Sequence, residues 1–505
     1  MMNILVVVKN RNWLGSLAGH LVVPLAFLLI MFLFYPFWEH FESGRDEGFN
    51  VMKAMLVGHG YTLYRDIWSD QPPLFTHILA VVFRIFGYDV NVARILILIL
   101  SGMLLWGSCQ FLRAIGGNSY AFAGAPLIVL LPHYAELSVS VMVGLPALAF
   151  AMVSLLALTI WHRRRTNLWL VASAVLLSLS IFTKVFTGFL ILLFVAGIVI
   201  AECSRSEGMS WRERLRPAIL WIWVFAGITF VLAIVLVGPA NVPQLWQTHL
   251  AAYETTVFQG YNVKMMLKNT PTTMLFSLIS LSLLGSLVAI HYKRWLILYP
   301  IAWLVTAFVL LSRHVPVWYH HQPLVTIPAA MLAACAVGEF VRWIPRLYHS
   351  RHLLTIQGLI CVIVFVGVMG FAATQGRNII KQFNLGSSSI GSDGKVPSPK
   401  YQLVAKIIQH AQQTQWVITD SPMYAFRAGL LVPPHLAVIS RKRLATGTLN
   451  ESEILHTIRE WKPEQVLIAR FKWPSIVNYL EEHYRAIYFQ DDKKLYLRGD
   501  LISRD

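Results

Sequence analysis

The stretch His20–Asn50, "HLVVPLAFLLIMFLFYPFWEHFESGRDEGFN", decides how the rest of the chain is read. Its first part, "HLVVPLAFLLIMFLFYPFW", is apolar for long enough to cross a hydrocarbon core of roughly 30 Å at about 1.5 Å per helical residue. Lys9 and Arg11 precede it and no small-residue cleavage site follows a short core, so it reads as a retained span and not as a removed signal peptide. Its second part sets Glu42, Arg45, Asp46 and Glu47 at the mouth of that span, in a chain of which only 13% of residues are charged.

Working outward, the 505 residues are 56% hydrophobic with a mean hydropathy of +0.58, the composition of a polytopic α-helical membrane protein. Apolar runs fall near 20–39, 91–112, 120–132, 137–160, 168–183, 185–201, 217–238, 272–290, 295–311, 317–339 and 353–374, which predicts about eleven or more membrane helices. The net charge of +17 does not point to nucleic acid, because the basic residues sit in short loops between these runs. With the N-terminus inside, Arg113, "HRRR" at 162–165, "RSEGMSWRERLR" at 205–216, "KR" at 293–294 and "RWIPRLYHSR" at 342–351 all fall on the inner side, as the positive-inside rule requires. Cys109, Cys203, Cys335 and Cys361 lie in or beside apolar runs and show neither metal-ligand spacing nor a disulfide framework.

The outer side then receives residues 40–90, "LPHYAEL" at 131–137, the break at Lys184, the loop 238–271, "SRHVPVWYHHQ" at 312–322, and the C-terminal region. Residues 1–375 thus form a membrane domain with a first outer loop at 40–90. Residues 376–400, rich in Gly, Ser and Pro, form a linker. Residues 401–505 read as a small extracytoplasmic α/β domain, with "QWVITD" and "PEQVLIAR" as buried strands, "ESEILHTIREW" and "SIVNYLEEHY" as amphipathic helices, and "RAIYFQ" and "KLYLR" as a closing strand pair. In the first outer loop, "EGFNVMKAMLVGHG" reads as an interfacial helix ended by Gly58 and Gly60, and "PPLFTHILAVVFRIFG" as a second, opened by its prolines and stopped by Gly87.

Asp46-Glu47-Gly48 after the first span, "AMLVGHGYTLYRD", the segment from Pro72-Pro73-Leu74 to "FG", and Arg94 opening the second span together resemble the GT-C integral-membrane glycosyltransferases, in the branch of the protein O-mannosyltransferases and lipid A aminoarabinose transferases. "LSIFTKVFTGFL" and "YHHQPLVTIPAAMLA" extend the resemblance, which covers most of the chain. It implies transfer of a sugar, with inversion, from a polyprenyl-phosphate donor to a glycan, lipid or protein acceptor on the outer face, with a first-loop carboxylate as base. That residue is Asp46, with Glu47 orienting the acceptor or tuning it. The same residues would equally serve as a solvated helix N-cap.

Physical chemistry sets the rest of the site. A lipid phosphate leaves as an anion, so it needs cations or hydrogen-bond donors more than a proton. Lys184, inside an apolar stretch where an unpaired charge costs about 3 kcal/mol, is read as a phosphate contact, or else as a snorkelling lysine. Arg313, Tyr319, His320 and His321 crowd one outer turn with His314, and the resemblance favours His321 and its neighbours as donor contacts; an interfacial belt is the alternative. His133 and Glu136 end a span, with Glu136 the candidate second acid, while Asp66 and Asp70 read as substrate contacts or turn formers. His249, Tyr253 and Glu254 read as acceptor contacts or, by their spacing, as an amphipathic interfacial helix, and no catalytic part is given to the C-terminal domain. Two departures stand out: "VMVGLPAL" has no acidic residue where many relatives have one, and Gln71 replaces a basic residue of the aminoarabinose transferases. No metal ligands are assigned and no cofactor is required, though a divalent metal is compatible with the two histidines. Membrane lipids and a lipid-linked donor are the expected partners, nucleic acid is not, and a bacterial inner membrane of the cell envelope is the expected location. A polyprenyl-linked lipid or sugar flippase is the competing function; it would place ionisable groups near the bilayer midplane and show paired repeats.

Overall fold

The computed structural model describes residues 13–204, 210–268, 270–350, 356–384, 398–490 and 492–501. Each apolar run becomes a helix: Trp13–Phe34, Val90–Gly116, Asn118–Val129, Gly144–Arg164, Asn167–Thr183, Val185–Cys203, Trp211–Val237, Thr272–His291, Trp295–Arg313, Pro323–Ser350 and Ile356–Asn384. Seven of these are long and apolar enough to cross a membrane, and the chain is a multi-pass membrane protein. Asn118–Val129, with 12 residues, is too short to cross alone at about 1.5 Å per residue. The run expected from 137 begins its helix at Gly144, because a short helical turn, Tyr134–Leu137, and an irregular stretch precede it. The helix expected from 317 starts at Pro323, a residue suited to a first helical turn. The last membrane helix runs on to Asn384, into the expected linker, of which residues 385–397 lie outside the described residues.

The two ends of the bundle differ in chemistry. At one end Arg163 donates to the Ala114 carbonyl at 2.6 Å and Arg294 to that of Ile115 at 3.2 Å. Arg294 and Arg342 share Glu339 at 3.0 and 2.7 Å, and the Tyr120 hydroxyl donates to the same carboxylate at 2.9 Å. Arg163, Arg294 and Arg342, from three of the basic segments, therefore gather at one end of the bundle, the first two on carbonyls at the C-terminal end of Val90–Gly116. The opposite end carries the first-loop helices.

Those helices are Arg45–Gly58 and Leu74–Phe86. An interfacial helix would bury one face only, yet Glu47 through Leu56 are all buried. The helix is enclosed from two sides. Asn50 Nδ2 donates to the Val141 carbonyl at 2.8 Å below it. Above it Gly48 admits the C-terminal unit so closely that a Cβ there would lie 2.9 Å from Met423 N.

The C-terminal unit is a four-stranded sheet of order β1-β2-β4-β3, made of β1 (Val417–Thr419), β2 (Gln465–Ile468), β3 (Tyr484–Gln490) and β4 (Lys493–Arg498). β1 and β2 run parallel, and the other pairs are antiparallel. The helices Glu451–Trp461 and Pro474–His483 pack Ile454, Ile458, Ile476 and Leu480 into a core with Val466 and Tyr496. A second core, holding Phe49, Met52 and Leu79 with Leu403, Met423 and Phe426, is continuous between this unit and the first-loop helices. Arg427 reinforces that seam by donating to the His40 and Phe41 carbonyls at 2.8 and 2.7 Å.

Candidate active site

Asp46 and Glu47 are neighbours in sequence, but about 100° of helix rotation separates their directions. Glu47 faces inward with no exposed side-chain surface, and its Oε1 and Oε2 accept from Arg94 Nε at 2.9 Å and Arg94 Nη2 at 2.7 Å. The backbone N–H groups of Ser43, at 2.6 Å, and Val141, at 3.2 Å, donate to the same carboxylate. Arg94 gives its remaining donor to the Phe37 and His40 carbonyls at 2.7 and 2.8 Å. Glu47 therefore pins the start of this helix to the second span; with its oxygens occupied and enclosed, it is not in a position to orient an acceptor as the sequence reading expects.

Asp46 is the opposite case. It is exposed, and its carboxylate makes no hydrogen bond or ion pair among the described residues, so it caps nothing; the N-cap position is Gly44. The protein atoms around it raise its carboxyl above the ordinary range, with Asp70 adding to the rise and Lys184, Lys53 and Arg470 opposing it. Gly44, at φ +87, makes room for Tyr319, whose hydroxyl would lie 2.8 Å from a Cβ at that position.

Asp70 belongs to a three-way contact. Lys442 Nζ lies 2.9 Å from Asp70 Oδ2 and 2.8 Å from His249 Nδ1, while His249 Nε2 lies 3.2 Å from the Asp70 carbonyl. The ammonium donates to Nδ1, so the ring is neutral with its proton on Nε2. Burial alone would raise the Asp70 carboxyl; Lys442, with Lys53 behind it, outweighs it and holds the group well below the usual range. Asp66 differs, accepting from Thr62 N at 2.7 Å and pairing with Arg65 at 3.1 Å as a turn former.

Lys184, between the helices Asn167–Thr183 and Val185–Cys203, sends Nζ into the space bounded by Gly144 and the His320 carbonyl. It lies 5.4 Å from the Phe186 ring, which packs at 4.6 Å on His314 and 5.0 Å on His321. Tyr253 Oη is 3.1 Å from His314 Nδ1, and His321 Nδ1 accepts from Trp318 N at 3.0 Å. Burial, then nearby cations, lowers His314 to about 3 and His320 and His321 well below their ordinary value. These rings are neutral at pH 7; positive charge here comes from Lys184, Lys53, Lys442 and Arg470.

Other sequence-predicted residues fall outside this cluster. His133 and Glu136 pair with each other at 2.9 Å beside Tyr319, whose ring is 5.0 Å from His133. Arg313 is exposed at its helix end, away from these contacts. His249 and Tyr253 do lie on an amphipathic helix, Gln244–Glu254, but they also reach the site, whereas Glu254 is exposed. Nothing in the sequence marks Lys53, Lys442 and Arg470 as part of this cluster. The basic run "SRKRL" at 440–444 was a signal for Lys442, but nothing in the sequence joins it to Asp70. Among the described residues no group of three or more His, Cys, Asp or Glu side chains is arranged to hold a metal ion.

This helical bundle, with its first-loop helix roofed by a C-terminal α/β unit, has the fold of solved ArnT and archaeal oligosaccharyltransferase structures. ArnT from Cupriavidus metallidurans, solved bound to undecaprenyl phosphate, matches with a TM-score of 0.57 and 12% identity over 96% of this chain and 98% of its own. The Archaeoglobus fulgidus oligosaccharyltransferase in its apo form matches with a TM-score of 0.55 and 11% identity over 90% of this chain and 70% of its own. The archaeal oligosaccharyltransferase AglB from the same organism, in complex with an inhibitory peptide and a dolichol-phosphate, matches with a TM-score of 0.51 and 10% identity over 97% and 75%. No family model and no curated protein matches the chain.

Proposed function

We propose that this protein is a glycosyltransferase that moves a sugar from a polyprenyl-phosphate carrier to an acceptor hydroxyl at the membrane face bearing Asp46. The observation that carries the reading is the unpaired, exposed Asp46 carboxylate surrounded by Lys53, Lys184 and Arg470. The two solved neighbours bound to undecaprenyl phosphate and dolichol-phosphate support the carrier class. In the reaction the acceptor oxygen forms a bond to the sugar's anomeric carbon while its proton passes to Asp46. The bond from that carbon to the phosphate oxygen breaks, and the electron pair leaves with the lipid phosphate. Attack opposite the leaving group inverts the anomeric centre. A base so placed contributes about 10²–10⁴-fold. Lys184 receives the phosphate, because a cation in a site shielded from bulk water stabilises the charge that develops there. His320 and His321 contribute as neutral hydrogen-bonding groups.

The face is the outer one, as the basic loops at the far end of the bundle support. A transporter would need ionisable groups along its mid-bundle, and this cluster sits where helices end. Reconstituting the protein in proteoliposomes with a panel of labelled polyprenyl-phosphate sugars tests the reading. Donor turnover to a glycosylated product and free lipid phosphate supports it, whereas movement of intact donor between leaflets without a new glycosidic bond replaces it with a flippase.

A further inference from the structure

Lys53 is a charged side chain that nothing in the packing explains. It is 3% exposed on a helix whose neighbours Met52, Ala54 and Leu56 are buried apolar residues. Its one hydrogen bond among the described residues is a long one, from Nζ to Ser69 Oγ at 3.4 Å, and no carboxylate lies within 4.0 Å of it. Enclosing an ammonium so poorly paired is unfavourable, and a methionine would fill the same space without that cost.

Its position shows what offsets the cost. Lys53 follows Asp46 by seven residues, two helical turns, and therefore lies on the same face. Helical side chains lean toward the N-terminus, so its long arm points back toward Asp46. Ser69, its contact, directly precedes Asp70 and also accepts from Gln71 N at 3.2 Å. The ammonium is thus on the helix face that carries Asp46 and in contact with the residue that precedes Asp70, and both carboxylates act on its charge.

We propose that Lys53 is a positioning residue: an internal counter-cation shared by Asp46 and Asp70 that keeps Asp46 in the form able to accept a proton. The inference rests on the proposed transferase reading. Asp46 also faces Asp70 from the adjoining turn, Lys184 from the helix break, Arg470 from the C-terminal unit and Tyr319 from the turn before Pro323. On its own helix Arg45 is exposed and Glu47 is neutralised by Arg94. Lys442 reaches the group only through Asp70, and His320 is neutral. Lys184 is the cation that a substrate phosphate would claim, which leaves Lys53, shut away from substrate, as the cation of the carboxylates: burial lowers its pKa, and Asp70 and then Asp46 oppose that fall.

The test is the pH profile of transfer between pH 5 and 9 for wild type, Lys53→Gln, Lys53→Met and Lys53→Arg, with thermal unfolding followed in parallel. Removing a cation beside a carboxylate raises its pKa, so the acidic limb in the two neutral variants moves upward by about one pH unit. At the wild-type midpoint this is about a fivefold loss, approaching about tenfold at lower pH and recovered by pH 9, while Lys53→Arg keeps the wild-type limb. The glutamine variant retains a hydrogen bond to Ser69 and the methionine variant retains the volume, so a folded neutral variant is at hand whichever feature the fold needs. An unmoved limb, or an equal loss at every pH, assigns Lys53 a merely structural part and overturns the proposal. A wild type that transfers nothing at any pH removes the transferase reading and this inference with it, an outcome distinct from an active wild type with unmoved limbs.

Discussion

Replacing Glu47 by glutamine should unfold this protein far more readily than replacing its neighbour Asp46 by asparagine. Glu47 and Arg94 are both wholly enclosed, joined at 2.7 and 2.9 Å. Two unit charges about 4 Å apart attract by about 4 kcal/mol at an effective dielectric of about 20. Breaking one partner of a buried pair costs a similar 3–5 kcal/mol, because the guanidinium stays buried without its countercharge. The introduced glutamine would still accept from the Ser43 or Val141 amide, so the lower end, about 3 kcal/mol, is expected. Against a total stability of about 5–15 kcal/mol this is a large drop. Asp46→Asn removes no hydrogen bond or ion pair and should change stability by no more than about 0.5 kcal/mol. Thermal unfolding in a fixed detergent, monitored by tryptophan fluorescence, reads both. In Glu47→Gln/Arg94→Met the orphaned charge is gone, so part of the loss should return. A Glu47→Gln protein that melts with wild type, or a double variant no better than the single one, would refute the reasoning.

Four further outcomes follow. Gly48→Ala puts a methyl 2.9 Å from the Met423 amide nitrogen and 2.8 Å from Glu42 Oε1, so the seam to the C-terminal unit should weaken by about 1–3 kcal/mol and limited proteolysis of that unit should quicken. Asp70→Asn and Lys442→Met should combine non-additively, with a coupling of about 0.5–3 kcal/mol in unfolding measurements, because each removes the same 2.9 Å contact. Burial and then Glu47 raise Glu42 from 4.5 to about 7, so its contribution to stability is complete below about pH 4.5 and is lost as pH rises through 7. Melting temperature should therefore fall between about pH 5 and 7, and less so in Glu42→Gln. Lys184→Met should raise the KM for a polyprenyl-phosphate sugar more than it lowers the melting temperature, since its ammonium makes no ion pair among the described residues.

Hydropathy and charge made the bundle, the two first-loop helices and all four strands of the C-terminal unit legible, because each is a local pattern of period or punctuation. In the site, the sequence singles out Asp46 through the resemblance and Lys184 through its charge in an apolar stretch, and the structure leaves both without an ion pair among the described residues. The sequence does not separate Glu47 from Asp46, because adjacent helical residues face different surroundings and only the position of Arg94, 47 residues away, decides which carboxylate is enclosed. Lys442 meets Asp70 across 372 residues, a contact created by docking of the C-terminal unit and invisible to any local pattern. Lys53 sits among apolar residues and reads as one more position of a helix. Only burial shows that its charge needs an explanation.

Turnover of a polyprenyl-phosphate sugar by wild type and by Asp46→Asn, at equal amounts of folded protein in proteoliposomes, bears most directly on the site. Loss of about 10²-fold or more in kcat with donor binding and melting temperature unchanged is the expected result. An Asp46→Asn protein that turns over at the wild-type rate would contradict it, and would move the search for the base to another carboxylate.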